Sequence, residues 1–266
     1  MDYTLYLCLG AIAGLLGGLF GIGGGVIIVP ILIIAFDWQG VPQDVAAHMA
    51  VATSLATIVL TSIPSIYTHA QKGSVRWDLV AWISPGIILG TLGGGVFALS
   101  LSGVGLQLML GAFFILVALQ MLFYGPQAGV RGEPGKPLIL IAGSGIGSIS
   151  ALFGIGGGSL TIPFLSYFGI PMHHVVGTAA ASGLPIALSA TLFYGSASSQ
   201  SGNLPEASLG YIFIPAWLGI VVASVPSARL GALLAHRLDG RRLRQLFSCL
   251  LVAIGVRFIW INLTGG

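Results

Sequence analysis

The sequence predicts an all-α polytopic membrane protein made of two related halves, each with about five helical segments. Three observations predict it. Apolar residues make up 56% of the 266 and charged residues only 6%, against about 25% charged residues in ordinary soluble domains. Unbroken apolar runs, such as residues 79–99 and 106–124, match the roughly 20 residues that a spanning helix needs. Finally, the window GLFGIGGGVIIVPIL, starting at Gly18, returns as ALFGIGGGSLTIPFL, starting at Ala151, with nine of fifteen residues identical at an offset of 133. The apolar runs are continuous rather than alternating, so they do not read as strands of a barrel.

The elements follow in order. A first membrane repeat covers residues 1–124, a linker, GPQAGVRGEPGK, covers 125–136, and a second repeat covers 137–266. In each half a short apolar segment (4–20; 137–153) runs into GIGGG, and a second short segment follows (26–36; 159–168). The third segments are 44–69 and 174–195, the fourth 79–99 and 207–228, the fifth 105–124 and 241–261. Gly10 and Gly14 also match Gly143 and Gly147 at the same offset, which marks an internal duplication. No polar stretch is long enough for a soluble domain, and MDYTLYLCLG lacks the basic start of a cleaved signal peptide.

Topology turns on the first two segments of each half. As one broken crossing they make four crossings per half and parallel repeats. As a hairpin they make the number odd and the repeats inverted. Odd halves with an outside N-terminus put Lys72, Arg76, Arg131, Lys136, Arg229, Arg237, Arg241, Arg242 and Arg244 inside, nine of the ten basic residues. The even arrangement sets the 237–244 cluster opposite Lys72 and Lys136. The positive-inside rule therefore favours inverted repeats, with both termini outside and the linker cytoplasmic. Many secondary transporters are built this way. The net charge of +3 reports topology and not an affinity for nucleic acid.

The repeated motif places Gly21, Gly23, Gly24 and Gly25 against Gly154, Gly156, Gly157 and Gly158, and Pro30 and Pro163 follow five residues after each motif ends. Glycine inside a helix costs roughly 1 kcal/mol relative to alanine, and a residue before proline is pushed out of the helical region. Residues 21–29 and 154–162 are therefore expected as unwound chain, with new helices starting near the prolines. Unwound backbone at membrane depth must be satisfied by protein, water or ligand, and bare N–H groups at a helix start attract anions. Two such breaks, related by a pseudo-two-fold axis, would face one another near the midplane and build one substrate site. The competing reading is that these glycines only let helices pack closely. The spacing is not that of a dinucleotide loop.

The remaining residues narrow the function. All seven acidic residues (Asp2, Asp37, Asp44, Asp78, Glu133, Glu206 and Asp239) fall in or beside connections, so no carboxylate waits mid-membrane for a cation. Matched polar stretches, AVATSLA with Thr53 and Ser54, and VVGTAAASG with Thr178 and Ser182, offer hydroxyls to an anion, unless these bond back to their own helices. His48, His69, His173 and His174 sit near segment ends with no metal-ligand spacing, and Cys8 and Cys249 lie in apolar runs. No metal site and no cofactor is expected, and no enzyme: AASG at 180–183 only faintly resembles an intramembrane protease motif and has no histidine partner. Arg257 lies five residues from Asn262 beside Trp260 and can snorkel to the outer interface.

The duplicated G-x-G-G-G, the stretch AVATSLATIVLTS with His69, Gly73, Val75 and Trp77 behind it, and the terminal RLGALLAHRLDGRRLRQLF resemble the sulfite exporter TauE/SafE family over essentially the whole chain. The resemblance implies an integral inner-membrane protein that moves sulfite or an organosulfonate by alternating access. A channel-like anion facilitator of the same fold, and a structural or assembly protein without flux, remain open beside it. The expected partners are a small sulfur-containing anion and the lipid bilayer, with a proton or sodium ion open as the coupling ion and an oligomer possible. The second half departs from the first after the motif: TSL becomes TAA, and the tail with Trp77 becomes YGSASSQSGNLPE.

Overall fold

A computed structural model describes residues 3–20, 24–123, 132, 134–197, 204–235 and 240–264. Most belong to ten helices: α1 (Tyr3–Phe20), α2 (Gly25–Trp38), α3 (Gln43–Gln71), α4 (Trp77–Ser100), α5 (Gly103–Phe123), α6 (Lys136–Phe153), α7 (Gly158–Tyr167), α8 (Met172–Ser196), α9 (Ile214–Ala235) and α10 (Gly240–Thr264). A two-stranded antiparallel hairpin, β1 (Ser208–Leu209) and β2 (Ile212–Phe213), precedes α9. Six stretches are helical, long and apolar enough to cross a membrane, lying in α3, α4, α5, α6, α8 and α10. The chain is an all-α polytopic membrane protein. Gly21, Gly23, Asp2, Arg131, Glu133, Arg237, Asp239 and most of the linker lie outside the described residues.

Glycine spacing decides which helices meet. Without a hydrophobic drive between helices in lipid, close approach of backbones supplies the contact energy, and small residues permit it. Gly10 and Gly14 bring α1 onto Ile220 and Ser224 of α9. Their counterparts Gly143 and Gly147 bring α6 onto Ile83 and Ile87 of α4. The second seam is tighter, because α4 adds Gly86, Gly90 and Gly94. There the Ser144 and Ser148 hydroxyls donate to the Gly86 and Gly90 carbonyls at 3.1 and 2.9 Å. A third pair, α5 with α10, closes on two glycines. A methyl group on Gly111 would stand 2.9 Å from the Gly255 carbonyl oxygen, and one on Gly255 would stand 2.7 Å from that of Gly111.

The central pair is α3 with α8. The start of α8 lies by the chain leaving α3: the His174 ring contacts the Ser74 carbonyl, and Thr178 accepts from the Arg76 N–H. At the other end the His48 ring packs on Tyr211, and Thr53 accepts from the Phe213 N–H. The two helices thus run antiparallel. So do α5 and α10, where Gln107 meets Asn262 and Gly111 meets Ile259.

Two sequence expectations are corrected. The unwound stretches do not reach the prolines: α2 restarts at Gly25 and α7 at Gly158, and Pro30 and Pro163 lie inside them. Residues 26–29 are buried, and extended chain there would strand several backbone groups away from water. Helix satisfies most of them, leaving the first-turn N–H groups and the ladder bond that each proline cannot make. Nor is 207–213 part of the fourth helix of the second half. Gly210 takes φ +54 and any side chain there would strike the carbonyls of Tyr194, Gly195 and Ala197, so the chain turns into β1–β2 and α9 begins at Ile214. Phe213 then packs edge-on against Tyr6 and Phe36.

Candidate functional site

The site begins with two helical hairpins. The Tyr6 hydroxyl, on the second turn of α1, donates to Gln39 Oε1, one residue beyond α2, at 2.7 Å. The two helices therefore leave and return at the same end, and the described Gly24 and Gly25, where α2 starts, mark the opposite end, the tip. In the second half α6 and α7 flank the other GIGGG. That tip turns on Gly154, which caps α6 in the left-handed region at φ +68. A methyl group there would lie 2.6 Å from Val29 and 2.9 Å from the Val51 backbone, so both conformation and space require glycine.

The tips touch. A methyl group on Gly25 would meet the Gly154 carbonyl oxygen at 2.6 Å and Ile155 at 3.0 Å. Ser54 ties the two together, its hydroxyl donating to the same Gly154 carbonyl at 2.8 Å. Ser54 is the twelfth residue of α3, and Gly183, beside Gly157, is the twelfth of α8. At 1.5 Å per residue the tips lie roughly 17 Å along two antiparallel helices, each counted from its own start. Ile58 and Ile186 close over them.

The helix starts at the tips carry no side-chain cap: Gly24 precedes α2 and Gly157 precedes α7, and neither can supply one. Among the described residues the N–H groups of Gly158 and Ser159 have no acceptor. Three hydroxyls of the same hairpin are also unmatched. Ser150 and Thr161 are fully buried, and Ser150 Oγ, Ser159 Oγ and Thr161 Oγ1 have no hydrogen-bond partner. Thr161 Oγ1 lies 3.4 Å from where a Gly157 methyl would stand, beside the bare helix start. Backbone donors, a helix dipole and buried hydroxyls, with no positive side chain beside them among the described residues, are what an anion site working by dipoles would use.

The predicted site residues divide. Gly24, Gly25, Gly154, Gly156, Gly157, Gly158 and Ser54 come together at the tips, while Gly21 and Gly23 are not described. Thr53 and Thr178 are engaged elsewhere, each accepting a backbone N–H from the chain that leads into the fourth helix of the opposite half, both at 3.0 Å. Ser182 donates back to the Thr178 carbonyl at 2.9 Å, as Thr57 does to Thr53. Sequence reasoning missed Ser150, Ser159 and Thr161. Their counterparts at the same offset are Gly17, Val26 and Ile28, so a search for matched polar pairs passes over them. Arg257 lines a separate cleft with Asp37, Gln43 and Gln107, at the far end of α2. No group of three or more metal-ligating side chains occurs among the described residues.

Comparison with known proteins agrees with this architecture. A family model described as sulfite exporter TauE/SafE matches residues 6–258. A "probable membrane transporter protein" of Haemophilus influenzae is 34% identical over 95% of this chain and 96% of its own. One of Methanocaldococcus jannaschii is 31% identical over 95% and 93%, and one of Bacillus subtilis 26% identical over 98% of both. No solved structure matches.

Proposed function

The chain belongs to the sulfite exporter TauE/SafE family, and on that premise we propose that it is a secondary transporter, working as an exporter, of a small sulfur-containing oxyanion such as sulfite or an organosulfonate. A membrane transporter and not an enzyme is what its family makes it. The substrate binds between the two GIGGG tips, and alternating access carries it across. The observation that carries this reading is the meeting of the tips: Gly25 abuts Gly154 where α7 starts bare and uncapped.

Helix directions support inverted halves. If α1 and α2 made one broken crossing, the equivalent helices α3 and α8 would run parallel. Their antiparallel packing, and that of α5 with α10, fits odd halves of opposite orientation. The protein then sits in the inner (plasma) membrane with both ends outside, and the linker cytoplasmic. Two hairpins would dip in from opposite faces and meet at the centre, as in other inverted-repeat carriers.

The test is flux in proteoliposomes made with the purified full chain. Sulfite or an organosulfonate such as isethionate should cross, and unlabelled substrate inside should accelerate uptake of label from outside. Flux without such trans-stimulation would indicate a channel-like facilitator. No flux of any sulfur oxyanion would leave the structural or assembly role.

A further inference from the structure

Among the described residues the tips hold donors but no counter-charge, and that limits the charge of what they bind. Around the described tip glycines stand the side chains of Ile28, Val29, Ser54, Ile58, Thr161 and Ile186, none of them charged. Arg257, a charged side chain within the apolar length of α10, lines the cleft with Asp37 and Gln107 instead. His48 is also spoken for: its two ring nitrogens contact the carbonyls of Asp44 and Ala98. An anion at the tips would rest on the α7 start, on the Thr161 hydroxyl beside Gly157, and on the unpartnered hydroxyls of Ser159 and Ser150 where they turn toward it.

The attraction of an anion to such dipoles grows in proportion to its charge. The cost of removing it from water grows with the square of its charge. A second negative charge thus doubles the gain and quadruples the penalty. Resting on the anion-site reading above, we propose that the transported species is singly charged, and that Thr161 and Ser159 of the second half select it. For sulfite this is the hydrogensulfite ion, and organosulfonates qualify as they stand. The first half cannot share this role, because Val26 and Ile28 occupy the equivalent positions. The described residues of its α1–α2 hairpin offer no side-chain hydroxyl to the site, and Ser54 of α3 gives its proton to the Gly154 carbonyl.

Two probes of equal shape separate charge from size. Methanesulfonate stays singly charged from mildly acidic to alkaline pH, whereas methylphosphonate passes from one negative charge to two. Affinities of both for the full-length protein in detergent are measured by calorimetry at each end of that range. Methylphosphonate affinity, normalised to methanesulfonate at the same pH, should fall at least tenfold on the alkaline side. Thr161→Val keeps the shape of the side chain and should weaken methanesulfonate at least tenfold, with an unchanged or higher melting temperature without ligand. Gly157→Val should abolish binding. If doubly charged methylphosphonate binds as well as methanesulfonate and Gly157→Val still abolishes both, the anion site stands and the charge rule falls. If Thr161→Val binds normally while Gly157→Val does not, the selecting role of Thr161 falls. If neither probe binds, or both variants bind normally, the site itself is refuted and the charge rule with it.

Discussion

Single hydroxyls in this protein do different work depending on what lies across from them. Thr53 and Thr178 occupy equivalent positions and accept equivalent N–H groups, from Phe213 and Arg76. The first bond is buried and the second only partly. A buried N–H that loses its acceptor costs about 1–3 kcal/mol, while a wet one recovers a bond from solvent. Thr53→Val should therefore lower stability by about 1–3 kcal/mol and Thr178→Val by less than about 1 kcal/mol. Thermal unfolding in detergent checks the order, and Thr53→Ser should restore most of the loss. These threonines were legible in the sequence as a matched pair, but their task was not, because their partners lie 160 and 102 residues away. The opposite held for Ser159 and Thr161, whose proposed role rests on having no match in the first half.

At the scale of the helix pair, the glycines are not interchangeable. A methyl group on Gly90 would press into the backbone of Ser144, whereas one on Gly93 would meet nothing within 4 Å. Overpacking of a seam costs about 1–3 kcal/mol, and replacing glycine by alanine in an open helix position recovers roughly 1 kcal/mol of helix propensity. Gly90→Ala should lower the melting temperature and Gly93→Ala should hold or raise it, although both lie on α4 and only three residues apart. The run of apolar residues foretold α4 and its length, and the duplicated Gly10/Gly14 and Gly143/Gly147 marked α1 and α6 as counterparts. Pattern alone did not say what each would pack against. Nor did it reveal the 207–213 turn, since Leu209, Tyr211, Ile212 and Phe213 look like helix in a membrane sequence until Gly210 is seen against three carbonyls.

For the whole molecule, orientation is the open quantity, and it is simple to measure. Reporters of sidedness fused after Gly266 should read outside and those inserted in the 125–136 linker should read cytoplasmic; a C-terminus that reads cytoplasmic would refute the inverted arrangement. The exposed tryptophans agree with two membrane surfaces: Trp38 and Trp260 end α2 and α10, and Trp77 and Trp82 begin α4. The sequence division into halves was plain from the duplication, yet the halves are not separate bodies in space. The most extensive contacts, α1 with α9, α4 with α6, α5 with α10 and α3 with α8, all join one half to the other. This has a consequence in time. The ribosome finishes α1 at Phe20 and its partner α9 at Ala235, 215 residues later. At roughly 5–20 residues per second that is a wait of about 10–40 s. Throughout it, the face of Gly10 and Gly14 stands against lipid or the insertion machinery with no helix to receive it. A nascent chain that stalls before α9 is marked by that unfilled groove, and a protease or holding chaperone that recognises small-residue helix faces would find it there and nowhere on the finished protein.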